Sequence, residues 1–213
     1  MANNNYTHKD VQGIDLVANI IDTFLVVAEK PEQYQEGLQW YNVAHKFVLD
    51  LAQVYKLSIE QSAGIVAALS PQLSWARNKK IALQFCAHMR QGNEETVLHL
   101  GAPGPNARKA IRIWHGENPL GVLGGMKVIS FYHNLLLFSS HVTIDRHAAS
   151  IAMFGDNGKK SGSIALNDKL YVIISDAYRK AAQVIVETWG TEFEAYTLQA
   201  IVWTQKAQSG GKA

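Results

Sequence analysis

Apolar residues recur at three- and four-residue spacing along most of the chain, which is the pattern of amphipathic helices. Alternating apolar and polar runs, and turn dipeptides that join such runs, are sparse. Pro31 is expected to break the chain after the first helix. Helices are predicted over 14–27, 38–55, 59–69, 76–90, 106–114, 126–138, from about 146, over 167–187 and over 191–208. The pattern therefore predicts an all-α protein.

Local signals refine several of these helices. Ser58, with a glutamine three residues later, predicts a capping box at the start of the helix over 59–69. That segment is almost entirely apolar or small, so the helix is expected to be buried and to end at Pro71. Asn106 is predicted to cap a short basic helix. His45 lies near an apolar stripe and is expected to bond a backbone carbonyl rather than to act as a ligand or base.

Composition narrows the class of protein. Of 213 residues, 47% are apolar and 18% charged, which is typical of a globular domain. A single cysteine, Cys86, excludes an internal disulfide and a four-cysteine iron–sulfur cluster. The polar N-terminus lacks the layout of a signal peptide, and no apolar run approaches the roughly 20 residues of a membrane span. We therefore expect a protein of the reducing cytoplasm, a monomer with no membrane partner, metal or cofactor.

The net charge of +2 neither requires nor excludes a nucleic-acid partner. The placement of the basic residues is more informative, because they are locally clustered. Each cluster taken alone is consistent with a solvated helix face. The clusters are Arg77, Lys79 and Lys80; Arg108, Lys109 and Arg112; and Lys159 and Lys160.

Two segments carry candidate chemistry. In VLGGMKVISFY, Gly124 and Gly125 precede a helix, where a glycine turn and free backbone N–H groups suit a phosphate, although a plain turn has the same signature. Lys127 stands in the first helical turn, where the dipole disfavours a cation. In VTIDRHAASIA, Asp145 precedes a helix and its apolar neighbours predict a carboxylate with little water around it. An ordinary N-cap would also explain Asp145.

Taken in order, these segments and AALSPQ resemble the motifs of the helix–hairpin–helix DNA glycosylase superfamily. AALSPQ is similar to LLSAQ, VLGGMKVIS to LPGVGRKTA, and TIDRHAASI to VDTHVxRV. The resemblance extends to relatives in bacteriophage thymine hypermodification, and it covers residues 60–155. It therefore implies the cytoplasm of a bacterial or phage-infected cell. The chain departs from the pattern in its shorter hairpin LGGM, in Arg146 after the aspartate, and in its last 60 residues, which match no motif.

The resemblance implies a two-lobed helical fold with a helix–hairpin–helix element in one globular unit of residues 1–213. The glycosylase-like core would span 60–155, residues 1–57 and 156–208 would form a second lobe, and 209–213 a disordered tail. It also implies a base-flipping DNA enzyme, because a duplex hides the reactive atoms of a base.

The resemblance assigns roles to particular residues. Asp145 would stabilise the cationic sugar or activate water, and Lys127 would be a nucleophile for a Schiff base at C1′ if its amine were desolvated and neutral. In a transferase joining an amine or amino acid to a pyrophosphorylated 5-hydroxymethylpyrimidine, Asp145 would deprotonate the amine while Lys127 or Arg146 held the pyrophosphate. A non-catalytic DNA-binding module is the third alternative. The expected DNA contacts are Gln72, Trp75, Arg77, Asn78, Gly124, Gly125, Arg146 and His147.

Overall fold

The structure, a computed structural model, describes residues 7, 9–155 and 166–209, the last four of them by backbone alone. The described residues form helices and no β-strand, which confirms the all-α prediction. None of their helices combines the length and the apolar character needed to cross a membrane. The helices are α1 (Leu16–Ala28), α2 (Pro31–Tyr55), α3 (Ile59–Leu69), α4 (Trp75–Arg90), α5 (Glu94–Val97), α6 (Gly104–Trp114), α7 (Pro119–Val122), α8 (Met126–Leu135), α9 (Arg146–Phe154), α10 (Asp168–Trp189) and α11 (Ala195–Ser209).

Several predicted helix boundaries differ from the structure, and two of the differences involve proline. The chain breaks between α1 and α2 as expected, but Pro31 is the first residue of α2, a position where the missing N–H of proline costs nothing. The helix predicted over 38–55 therefore begins earlier, at Pro31. The cap position of α6 is Pro103, so Asn106 lies inside the first turn and does not cap the helix. The short helices α5 and α7 were not predicted, because four residues are too few to show a helical period.

The chain divides into two compact units, with bounds that differ from the predicted core and lobe. Unit 1 contains the described residues up to Tyr41 and those from Ser139 onward, and unit 2 contains residues 42–138. The predicted core over 60–155 included α9, but α9 packs against α1, α10 and α11 and therefore belongs to unit 1. Most of the predicted tail, 210–213, and part of the predicted lobe, 156–165, lie outside the described residues.

Unit 2 is organised around α3. Every residue from Ser62 to Leu69 is buried, and α4, α6, α7 and α8 pack against this helix. The predicted capping box is confirmed, because Ser58 and Gln61 each accept a hydrogen bond from the other's backbone N–H at 3.0 Å. The prediction for His45 is also confirmed, since its Nδ1 lies 2.8 Å from the carbonyl oxygen of Leu135.

Unit 1 is held by α1, which packs against α9, α10 and α11. The amide of Asn19 donates to the carbonyl of Ala152 at 2.9 Å, which ties α1 to α9. At Gly37, α2 lies so close to α11 that a Cβ would stand 2.4 Å from the Cα of Ile201. Only glycine permits this contact, because backbone atoms cannot rotate away.

Gly37→Ala is therefore expected to lower the free energy of unfolding by about 2–3 kcal/mol, the upper range for overpacking a core. Gly121→Ala is the matched control, because no atom lies within 4 Å of a Cβ at that position. Urea denaturation followed by circular dichroism measures both. Equal midpoints for the two variants would contradict the close approach of α2 and α11.

Candidate functional site

Asp145 is the N-cap of α9, as its position in the sequence predicted. One carboxylate oxygen, Oδ1, accepts hydrogen bonds from the backbone N–H groups of His147 at 2.9 Å and Ala148 at 2.8 Å. The side chain is half-buried. The cap therefore uses one oxygen of the carboxylate and leaves the other for different partners.

The segment before Asp145 is fixed from both sides of its backbone. Val142 and Ile144 are fully buried. The hydroxyl of Tyr171 donates to the carbonyl of Val142 at 2.9 Å and accepts from the N–H of Ile144 at 3.0 Å. Because a single phenol satisfies both backbone groups, the chain enters Asp145 in one extended conformation.

The second oxygen of Asp145, Oδ2, accepts a hydrogen bond of 3.2 Å from the indole Nε1 of Trp203. The Trp203 ring lies edge-on to Trp40 and His147, with centroid distances of 6.1 Å and 6.4 Å. Sequence reasoning missed Trp203, because it stands 58 residues after the aspartate in a segment without a recognisable motif.

A guanidinium and an imidazole lie beside the carboxylate. Arg146 is exposed, and its Nε donates to Nε2 of His147 at 3.3 Å. Within the part of the chain that the structure describes, Arg146 forms no salt bridge. Asp145, Arg146 and His147, all predicted site residues, are therefore brought together by the start of α9.

Two buried tyrosines pack near Asp145. Burial, with a smaller contribution from the Asp145 carboxylate, raises the pKa of Tyr178 well above its ordinary value. Burial also raises the pKa of Tyr41. The Tyr178 hydroxyl donates to the carbonyl of Ala148 at 3.0 Å, and the Tyr41 hydroxyl donates to Oε1 of Gln199 at 3.1 Å. Both phenols thus remain neutral donors near pH 7 and are not candidate bases.

In unit 2, Gln72 occupies a strained turn between α3 and α4. The N–H of Leu73 bonds the carbonyl of Ser70 at 3.2 Å, with Pro71 at the second position and Gln72 at the third with φ +66°. This is the pattern of a type II turn, whose third position normally holds glycine or asparagine. The Gln72 side chain is exposed. An exposed glutamine kept at a position that suits glycine is a candidate for function rather than stability.

Trp75 lies inside the aromatic packing of unit 2. The half-buried ring of Trp75 lies edge-on to Phe47 at 5.8 Å and to Phe131 at 6.3 Å, with the ammonium of Lys79 at 5.5 Å from the ring centroid. Trp75 was predicted to contact DNA. Its contacts within unit 2 explain the presence of a tryptophan here without a ligand.

The prediction that Asn78 contacts DNA is wrong. Asn78 is only 1% exposed, and its Nδ2 donates to the carbonyl of Val66 at 3.1 Å, which ties α4 to α3. The helical period contained this information, because Asn78 shares the buried stripe of Ile81 and Phe85.

Arg77 lines an open cleft of about 600 Å³. Its guanidinium lies against Gly101, where a Cβ would stand 2.7 Å from it. Arg77 forms no salt bridge with any residue that the structure describes. The cleft is lined by Gln72, Leu73, Arg77, Leu98, His99, Gly101, Ala102 and Pro103.

The start of α8 is open to an anion. Gly125 is its N-cap residue, with φ +79° and no side-chain cap among the described residues. The N–H groups of Met126 and Lys127 find no acceptor in the described part of the chain. The ammonium of Lys109 would lie 3.3 Å from a Cβ on Gly124. The exposed glycine pair therefore combines free backbone donors with two lysines, Lys109 and Lys127.

The positive charge of the protein is concentrated in unit 2. Residues 42–138 contain ten Lys and Arg and five Asp and Glu, a net charge of +5, whereas the remainder of the chain carries −3. Salt bridges with described residues neutralise few of these cations. Those in no such salt bridge include Arg77, Lys80, Arg108, Lys109 and Lys127.

Residues 2–209 match the Family of unknown function (DUF7178), and the chain belongs to this family. No curated protein matches the chain, and no solved structure does. The family description names no activity. The features of the chain that point to a function are therefore the carboxylate at α9 and the basic residues of unit 2.

Gln72→Gly is expected to raise the free energy of unfolding by about 1 kcal/mol, because it relieves a left-handed conformation that glycine adopts without strain. Lys56→Gly is the matched control, since exposed Lys56 has φ +57° in the same unit. Thermal denaturation should show both variants stabilised. A loss of stability confined to Gln72→Gly would mean that the glutamine side chain supports the fold and is not strained for function.

Proposed function

We propose that the protein is a base-directed DNA enzyme of the glycosylase type, which breaks the N-glycosidic bond of a flipped nucleotide. The observation that carries this proposal is the Asp145 carboxylate, held by two backbone N–H groups at the start of α9 and by the indole N–H of Trp203 on α11. Charged acceptors fixed in this way act without reorganising during the reaction. In this proposal Asp145 carries out the chemistry, and residues of unit 2 bind the DNA backbone.

The glycine turn before α8 is the proposed phosphate contact, as the hairpin of a helix–hairpin–helix element. Its free N–H groups belong to a helix start, where the dipole favours a negative charge. Lys109 and Lys127 add two cations at the same place. Contacts of this kind fix the position of DNA without reading its sequence, which suits an enzyme that selects a base by flipping it.

Gln72 is the proposed occupant of the space that a flipped nucleotide vacates. Its side chain is exposed on a turn whose backbone would accept glycine more readily. Retaining a side chain there costs about 1 kcal/mol. An amide that replaces the lost base-pair hydrogen bonds supplies a reason for that cost.

Asp145 acts on the sugar in this proposal. As the bond between C1′ and the base nitrogen breaks, positive charge develops on the sugar and the carboxylate stabilises it. Water then adds to C1′ and passes one proton to the carboxylate, which returns that proton through the solvent to the nitrogen of the departing base. Tyr41 and Tyr178 cannot substitute for this base, because burial keeps their phenols neutral.

Lys127 is assigned to phosphate binding rather than to nucleophilic attack. A Schiff-base lysine must lose its hydration so that its amine is neutral. The Lys127 side chain is exposed on the first turn of α8. We therefore propose hydrolysis without strand cleavage, and borohydride should trap no covalent complex with DNA.

Arg146 favours a second candidate function, the transferase. Its guanidinium is exposed, forms no salt bridge within the described residues, and follows the carboxylate directly in sequence. It would bind the pyrophosphate on a 5-hydroxymethylpyrimidine. An amine would then attack the exocyclic methylene, Asp145 would take the amine proton, and pyrophosphate would leave.

Asp145→Asn is expected to abolish base release from labelled duplexes containing uracil, oxidised, alkylated or 5-hydroxymethyl bases, scored as abasic sites after hot alkali. Asparagine is also a good N-cap, so α9 should persist while the charge is lost. Asp15→Asn is the control, because Asp15 caps α1 in the same unit through a side-chain oxygen 2.9 Å from the N–H of Ala18. It should retain full activity.

The same assay separates the alternatives. Intact duplexes from the wild type, together with release of pyrophosphate from a pyrophosphorylated base in the presence of an amine, would replace the glycosylase with the transferase. DNA binding without product in either assay would leave a binding module in which Asp145 is only a helix cap.

Lys109→Gln and Lys127→Gln are each expected to reduce the slope of log affinity against log salt concentration by about 1, because each removes one phosphate contact. Lys46→Gln is the control, since Lys46 belongs to the same unit but pairs with Asp50 at 3.0 Å. Fluorescence anisotropy with a labelled duplex measures the three slopes. Three equal reductions would show a general charge effect and no site at α8.

A further inference from the structure

We infer that Trp203 is a positioning residue for Asp145. The indole N–H of Trp203 selects the one lone pair of the Asp145 carboxylate that meets the substrate. The inference rests on the proposed function, because it concerns how Asp145 meets the reacting atoms. It is carried by the 3.2 Å hydrogen bond from Nε1 of Trp203 to Oδ2 of Asp145.

A carboxylate offers about four acceptor positions, two on each oxygen. Oδ1 of Asp145 uses both of its positions for the N–H groups of His147 and Ala148. Oδ2 uses one position for Trp203. Among the described residues this leaves a single acceptor position, and the indole decides which one it is.

The indole bond is not needed to cap α9. Asp15 performs the same task at α1 with one oxygen, which accepts from the N–H of Ala18 at 2.9 Å. Asp145 already caps α9 through Oδ1, with two donors. The bond to Oδ2 therefore orients a group that the helix cap leaves undetermined.

Trp203 is itself held firmly. It lies on α11 next to buried Val202 and Thr204, and its half-buried ring contacts Trp40 and His147. A ring fixed on several sides gives its N–H one direction. The open position of Oδ2 then points in one direction too, which a group facing C1′ or an attacking water requires.

Trp203→Phe keeps an aromatic ring in this packing and removes the N–H. Loss of orientation is expected to reduce kcat by about 10- to 100-fold, since a misplacement of about 1 Å costs up to 100-fold. KM should change by less than about two-fold, because the substitution leaves the proposed phosphate contacts, Lys109 and Lys127, unchanged. A merely structural effect would instead lower stability or raise KM.

Trp189→Phe is the matched control. Trp189 is an indole of the same unit that packs against Phe24 at 6.2 Å and has no role in the proposed site. Single-turnover base release, measured with full-length protein and saturating duplex, should be unchanged in this variant. A loss of kcat confined to Trp203→Phe supports the inference.

A second measurement does not depend on the folding of a tryptophan variant. In a ¹H–¹⁵N spectrum, the indole signal of Trp203 should lie downfield in the wild type and move upfield in Asp145→Asn, where the amide presents a donor to the indole. An unmoved signal would show that the bond does not form and would overturn the inference.

The two proposals fail in different ways. Wild-type kcat in Trp203→Phe, with base release still abolished by Asp145→Asn, would overturn the positioning role and leave the glycosylase in place. Full activity in Asp145→Asn would overturn the proposed function and the positioning role together.

Discussion

The burial of α3 on all sides is the constraint on which unit 2 depends. From Ser62 to Leu69 this helix has no exposed face and needs neighbours in every direction, which α4, α6, α7 and α8 supply. Small residues make this possible, as at Gly64, where a Cβ would stand 2.9 Å from Pro119. The proposed DNA contacts lie at the edges of this packing: Gln72 is in the turn after α3, Lys109 lies on α6, and the open helix start belongs to α8.

The site around Asp145 is built differently from unit 2, because its parts come from distant stretches of the chain. Tyr171 fixes the backbone before Asp145, and Trp203 holds the second carboxylate oxygen. Neither belongs to a local motif. The site is therefore a product of packing among α9, α10 and α11 rather than of one sequence segment.

Whether a feature could be predicted from the sequence depends on how far apart in the chain its interacting residues are. The longer helices, the capping box at Ser58, the carbonyl partner of His45 and the cap at Asp145 could be predicted, because they depend on spacings of a few residues or on one apolar stripe. The four-residue helices α5 and α7 could not. Asn78 was expected to contact DNA, although the helical period, which it shares with buried Ile81 and Phe85, placed it inward. Trp203 could not be predicted, since a contact across 58 residues leaves no local pattern.

The division of the chain has a consequence for the order of folding. Unit 2 is continuous over residues 42–138, whereas unit 1 is interrupted by it. During synthesis, α1 therefore leaves the ribosome well before α9, α10 and α11, the helices that bury it. Contacts between distant parts of a chain form slowly because a long loop must close first. Unit 2 can thus assemble on the nascent chain, while α1 keeps its apolar face uncovered until α9, α10 and α11 have been synthesised.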